Sequence, residues 1–438
     1  MGMRWLDIIR LGLVQAAIGS VVVLVTSTLN RVMVVEYALP AMLPGLLVAL
    51  HYVVQLIRPR FGYGSDVGGR RTPWIVGGMA VLCAGGVICA LATVMMARHR
   101  IAAAALAVAG YTLVGLGVGA AGTSLLVVLA KQVDARRRAA AASIMWVLMI
   151  AGFAITSGTV GHFLDPFSPR RLFDVVSVAA ATAFMVAMLA VWKVEKAGAV
   201  VASCTASAGS FSVALRRVWG DDQARRFTLF VFVSMLAYSA QELLLEPFCG
   251  LVFGYTIGQS ARLSGLWHGM VLVGMVCVGI LGSGAWKLGS LRGWTIGGCC
   301  ASAAAILSLA AAGIVGPAWP IKASLSVLGV ANGVFAVSAI GSMMELAHHG
   351  VASQSDGGGA GVRMGLWGAA QAVAFALGGI VGTGTVDLIR YLTGSPITAF
   401  SVVFGIEAIL FLLAARFAAR VGSTNPRRAA ANPTAVIA

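Results

Sequence analysis

The feature that most limits this chain is a twelvefold recurrence of apolar stretches long enough to cross a bilayer. Spanning the hydrocarbon core takes about 20 predominantly apolar residues in a helix. Such stretches fall at about 11–30, 39–57, 74–97, 101–130, 139–162, 172–193, 227–253, 262–285, 294–314, 321–346, 363–388 and 397–417. Lipid offers backbone groups no hydrogen-bond partner, so these runs must form helices. The expectation is an all-α polytopic membrane protein with twelve transmembrane helices. Composition agrees, with 59% of the 438 residues hydrophobic and 11% charged, against about 25% charged in a soluble domain. The 101–130 stretch is overlong and is expected to run past the membrane on one side.

The net charge of +16 is not a signal for nucleic acid, because the bases sit in short connections between apolar spans. With the N-terminus inside, 23 of the 31 Lys and Arg fall on the cytoplasmic side, including Arg58, Arg70, Arg71, the run Arg136, Arg137, Arg138, and Arg216 and Arg217. The positive-inside rule then puts both termini in the cytoplasm. The seven cysteines show neither metal-ligand nor disulfide-framework spacing and read as small core residues.

The longest connection, 194–226, divides the spans into two sets of six. The expected organisation is a first six-helix half (1–193), a cytoplasmic linker (194–226), a second half (227–417) and a disordered cytoplasmic tail (418–438). Six plus six spans is the plan of a transporter made of two parallel repeats. His51 and His268 lie 217 residues apart, close to the offset between the first and seventh spans, and so sit near repeat-equivalent positions.

Two glycine-rich stretches stand out. "GYGSDVGGRR" follows the second span and resembles the signature loop of the major facilitator superfamily through Gly62, Asp66, Gly69, Arg70 and Arg71. It departs from that pattern at Gly64 and Val67. The resemblance implies a latch between the two halves on the cytoplasmic side. In the fourth span, Gly117, Gly119 and Gly122 satisfy G-x-G-x-x-G. A dinucleotide site needs a preceding strand, so these glycines read instead as close helix packing or as room for a flat ligand.

The seventh span carries "SAQELLLEPFCG", with Tyr238, Glu242 and Glu246 on one helical face and Pro247 behind them. At 1.5 Å per residue, Glu242 lies about 22 Å along the span. A carboxylate facing lipid there costs several kcal/mol, so the face should point into the bundle. Pro247 cannot donate to the carbonyl of Leu243, which is expected to leave a kink and an open carbonyl suited to a binding site or gate. Glu246 is expected either in that site or in an ion pair with Arg31. Other polar groups within spans are Gln15, Asn30, His51, Gln55, Asn332, Gln371 and Glu407. No stretch suggests a nucleophile–base pair, a phosphate loop or a metal cluster, and the chain does not read as an enzyme.

"SAQELLLEPFCGLVFGYTIGQSARLSG" and "TSTLNRVMVVEYALPAMLPGLLVAL" are similar to segments of the PucC/LhaA family. This is the bacteriochlorophyll-delivery branch of the major facilitator superfamily in phototrophic bacteria. With its short connection between the second and third spans, the chain resembles the members encoded with bacteriochlorophyll-biosynthesis genes. The resemblance implies a protein of the intracytoplasmic, photosynthetic inner membrane that hands bacteriochlorophyll or a precursor to light-harvesting antenna polypeptides or to pigment synthase. Magnesium favours oxygen donors, and chlorin magnesium also accepts imidazole. Glu242, Glu246, His268 and His51 are therefore candidate pigment ligands or hydrogen-bond partners, with Gln241 and Tyr238 beside them. Trp267 and Tyr255 are candidates to pack on the ring.

Two other functions fit the residues. A proton-coupled transporter of a small solute would use Glu242 or Glu246 as its proton site and show convergent charges. A scaffold would bind antenna polypeptides on its outer surface around a vestigial cavity. The scarcity of bases within the spans, where Arg31 is nearly alone, favours the pigment carrier.

Overall fold

The computed structural model describes residues 3–58, 71–134, 137–194, 220, 222–282, 289–352 and 359–420, with backbone alone for 130–131, 138–139, 222–224, 343–352, 359–366 and 369. Twelve helices follow one another among these residues. They are α1 (Trp5–Glu36), α2 (Met42–Ile57), α3 (Thr72–Met95), α4 (Arg100–Gln132), α5 (Arg138–Phe163) and α6 (Pro169–Val191), then α7 (Asp222–Phe253), α8 (Ile257–Gly282), α9 (Leu291–Val315), α10 (Ile321–Ala352), α11 (Gly359–Thr393) and α12 (Pro396–Arg420). Eleven are long and apolar enough to cross a membrane, and α2 is the short one. The second apolar stretch was expected to be helical from residue 39, but Pro40 and a left-handed Ala38 (φ 50°) hold its first residues out of the helix.

Packing repeats with an offset of six helices. In the first half α1 lies against α5 and α6, α3 against α4 and α6, and α2 against α4. In the second half α7 lies against α11 and α12, α9 against α10 and α12, and α8 against α10. The halves meet along two seams, α5 with α8 and α2 with α11, which exchange when the halves are exchanged. The α5–α8 seam is close enough that a Cβ on Gly161 would stand 2.7 Å from the Gly258 carbonyl, and one on Gly265 would stand 2.7 Å from the Gly158 nitrogen. Close approach between small residues is how helices gain packing energy where apolar burial alone offers little.

The fourth-span glycines divide their work. A Cβ on Gly117 would press on the backbone of α3, 2.7 Å from the Gly78 carbonyl, whereas Gly122 faces open space. Of the expected latch loop, Gly62, Asp66, Gly69 and Arg70 lie outside the described residues. Arg71, just before α3, is buried. Most of the expected linker (195–219 and 221) and the tail from 421 also lie outside the described residues.

Candidate functional site

Below, the lower end of the bundle is where α1 begins and α2 finishes, and the upper end is where α1 finishes and α2 begins. Two π-helical turns, Leu24–Thr28 and Val32–Glu36, widen α1 toward its upper end. The first carries Thr26 and Ser27 against α7, and the Tyr111 hydroxyl of α4 donates to its Val25 carbonyl at 3.0 Å. Thr26 donates to Glu242 Oε1 (3.2 Å), and Ser27 donates to Glu246 Oε1 (2.7 Å).

Asn30, one turn further along, closes the gap made by Pro247. Its Nδ2 donates to the Leu243 carbonyl at 2.5 Å, the acceptor that a proline nitrogen cannot serve. The expected open carbonyl is therefore filled, and α7 continues as helix to Phe253. A buried carbonyl without a partner is costly, and the neighbouring helix supplies the missing donor.

The expected Arg31–Glu246 ion pair is not made. Arg31 is fully buried, pairs with Glu36 at 2.6 Å, and donates to the Tyr255 carbonyl at 2.6 Å and to Ser260 Oγ at 3.3 Å. The second π turn of α1 lies between Arg31 and Glu36, so a local carboxylate takes the guanidinium. Glu246 is left to Ser27 and to Ser264 of α8, which lies beside it.

Below this layer, a cavity of about 280 Å³ lies between the halves. Its wall comes from α1, α2, α4 and α5 on one side and from α7, α8, α10 and α11 on the other. It is largely apolar and aromatic, with Phe153, Phe227, Phe335, Phe375, Tyr52, Tyr238 and Trp146. The polar part of the wall includes Gln15, His51, Gln55, Arg58, Glu242 and Gln371. Gln55 Nε2 donates to His51 Nε2 at 2.8 Å, and Arg58 donates to Gln55 Oε1. That chain leaves His51 a neutral imidazole whose Nδ1 makes no hydrogen bond. Gln15 Nε2 lies 3.2 Å from the Met149 sulfur, and its Oε1 is buried without a partner.

The eight candidate pigment residues do not share one surface. Glu242, Tyr238 and His51 line the cavity, while Glu246, Gln241, His268, Trp267 and Tyr255 do not. His268 is buried behind Phe153, whose ring centroid is 5.1 Å away, and its Nδ1 donates to the Ser264 carbonyl at 2.9 Å. Trp267 packs at 6.0 Å from the Tyr238 ring and stands in the second layer. Tyr255 belongs to the upper end through its bond with Arg31. Gln241 turns away from the cavity into the second half, where its Oε1 accepts from Asn332 (2.9 Å) and Asn332 accepts from Ser302 (2.9 Å). Gln241 also adjoins Glu407 of α12, a carboxyl whose neighbour was not readable from sequence.

The upper end holds two carboxylates that sequence reasoning passed over. Asp387 of α11 accepts from the Ala41 nitrogen (2.9 Å) and the Met42 nitrogen (2.7 Å), capping α2. Asp165, after α5, accepts from Thr256 Oγ1 (2.8 Å) and the Gly258 nitrogen (3.1 Å), capping α8. Carboxylates at helix N-termini satisfy orphan N–H groups and complement the dipole. Each seam thus carries one cap at matching positions. The usable signal was a lone acid near the upper end of an apolar span, just past α5 for Asp165 and six residues before the end of α11 for Asp387.

Twelve packed helices, a repeated half and a cavity between the halves define a polytopic membrane protein with the major facilitator fold. Solved structures agree in fold: a D-xylose–proton symporter superposes with a TM-score of 0.70 at 14% identity, covering 94% of this chain and 97% of that one. A bacterial homologue of the human lysosomal transporter Spinster, in an inward-facing and occupied conformation, superposes with a TM-score of 0.69 at 13% identity, covering 96% and 97%. Within that fold the chain belongs to the PUCC protein family, whose model matches residues 28–425. It is 50% identical over 435 residues, 99% of both chains, to the "Bacteriochlorophyll synthase 44.5 kDa chain" of Rhodobacter capsulatus. It is also 27% identical to Protein PucC of Cereibacter sphaeroides, over 92% of this chain and 90% of that one.

Proposed function

We propose that this protein binds bacteriochlorophyll or a late precursor in the cavity between its halves and hands it on during photosystem assembly. The recipients in this reading are light-harvesting antenna polypeptides or the pigment-synthesis machinery. The protein would sit in the inner, intracytoplasmic membrane with both termini and the lower end of the bundle in the cytoplasm. The observation that carries the reading is the wall of the cavity, which is mostly aromatic and apolar, with its polar groups few and three of them tied to one another in the His51–Gln55–Arg58 row. A flat macrocycle with one coordinating metal needs such a wall, whereas a sugar-like solute needs many convergent hydrogen-bond partners. Glu242 supplies an oxygen donor of the kind an axial position on pigment magnesium accepts, and His51, whose Nε2 accepts from Gln55, offers its Nδ1–H as a hydrogen-bond donor instead. We read the protein as a carrier rather than an enzyme, because its fold and cavity suit binding and transfer.

Absorption in the near infrared tests this, using protein purified from a pigment-making host. Bound bacteriochlorophyll is expected, at reduced occupancy in Glu242→Leu combined with His51→Leu. One observation favours a second reading: Glu242 is buried with no cation paired to it among the described residues, as a proton-coupling carboxylate would be. A colourless protein that acidifies proteoliposomes when a small solute is added would replace the first reading by this one.

A further inference from the structure

We infer that the cavity prefers a pigment whose side-chain carboxylate is still free, with Arg58 as the group that binds it. The inference rests on the pigment reading above and narrows its cargo. Among the described residues, Glu242 and Arg58 are the charged side chains of the cavity wall. They stand apart in sign and place. Glu242 is deep, against α1, while Arg58 follows the last turn of α2 at the lower end of the cavity.

His51, Gln55 and Arg58 lie at i, i+4 and i+7 and form one row along α2. The guanidinium holds the Gln55 amide oxygen, and the amide nitrogen holds the imidazole. That chain uses few of the five N–H donors of an arginine. Arg58 has no carboxylate partner among the described residues. Tyr52, on the same helix, lines the cavity together with Arg58 and Glu242 and packs on Phe375 at 4.9 Å.

The chemistry of the cargo meets this layout at one point. A magnesium bacteriochlorin carries a propionate side chain on the edge of a flat apolar body. In the free acid that edge is anionic. Once a long-chain alcohol is attached, the edge is a neutral ester trailing an apolar tail. A guanidinium at the end of an aromatic cavity pairs with the acid through two parallel, charge-assisted hydrogen bonds. The ester offers this guanidinium, which is exposed at the lower end of the cavity and already holds Gln55, no charged partner, so the acid gains a pairing that the ester lacks. This places the protein before esterification, as the carrier that meets the acid and supplies the reaction that attaches the alcohol.

The test uses the full chain in nanodiscs of zwitterionic lipid, with empty discs as reference. Binding of the bacteriochlorin free acid and of its long-chain ester is followed by quenching of tryptophan fluorescence. The acid is expected to bind at least about tenfold tighter, about 1.4 kcal/mol. Arg58→Gln should bring the two affinities together, and Arg58→Lys should keep part of the preference. Equal affinities in the unaltered protein, unchanged in Arg58→Gln, would overturn the inference and leave the pigment reading standing. Loss of the preference on adding phosphatidylglycerol to the discs would also overturn it, by making Arg58 a lipid-headgroup site. Binding of neither pigment would bring down the pigment reading itself.

Discussion

The two ends of the seam between the halves are built from different materials. At the upper end, contact is polar and directed: Asp387 and Asp165 cap helices of the opposite half, Asn30 serves the Leu243 carbonyl, and Arg31 reaches the Tyr255 carbonyl. At the lower end the halves face each other across an aromatic cavity. Directed hydrogen bonds have fixed partners and are made or lost as units, whereas aromatic walls accept a ligand without leaving polar groups unpaired. In the function proposed above, the upper end would act as the gate that these directed bonds hold, and the lower end as the side from which cargo enters.

The largest effect that would break this contrast is expected at Asn30. Asn30→Ala should destabilise the protein by about 1–3 kcal/mol, because the Leu243 carbonyl would be buried without a donor. Thermal unfolding in detergent measures this. Pro247→Ala restores the intrahelical N–H, so the loss should shrink in the double variant, and strictly additive losses would show that Asn30 acts elsewhere. Next come the caps. Asp387→Ala should weaken the upper end by about 1 kcal/mol, a typical cap value, and Asp165→Ala should do the same at the partner seam. Cys249, buried in α7 near this end, is a native reporter, and its alkylation rate in membranes should rise in each variant and rise further in the pair. An unchanged rate would mean that the caps do not hold the gate.

The smallest effect separates the two carboxylates of α7. Glu242→Leu should lower the pigment retained on purification several-fold, whereas Glu246→Leu should leave it nearly unchanged, since only Glu242 reaches the cavity. Equal losses would show that the upper layer also contacts cargo.

Much of this architecture is written in the sequence, for physical reasons. Bilayer thickness sets helix length, so twelve helices were legible from apolar runs, and the overlong α4 was legible too. The missing donor at Pro247 was equally readable, because a proline nitrogen has no hydrogen. Its remedy was not, because Asn30 lies 213 residues away and reaches α7 only through the packing of α1. The π turns of α1 also left no mark in the apolar pattern, and one of them brings Glu36 to Arg31 where Glu246 was expected. Periodicity put Tyr238, Glu242 and Glu246 on one face correctly, but a face does not say where a cavity stops. His51 and His268 occupy related positions in the two halves, yet only His51 meets the cavity, since Phe153 stands before His268.

Occupation of the lower cavity by cargo can be read most directly at Gly122. This residue lines the cavity, and an added Cβ there would meet nothing within 4 Å, so a large side chain can fill the space without disturbing the helix packing. Near-infrared absorption of Gly122→Phe, purified from a pigment-making host beside the unaltered protein, is the measurement. A protein of ordinary thermal stability that has lost most of its pigment is the expected result. Full pigment occupancy in that variant would contradict it.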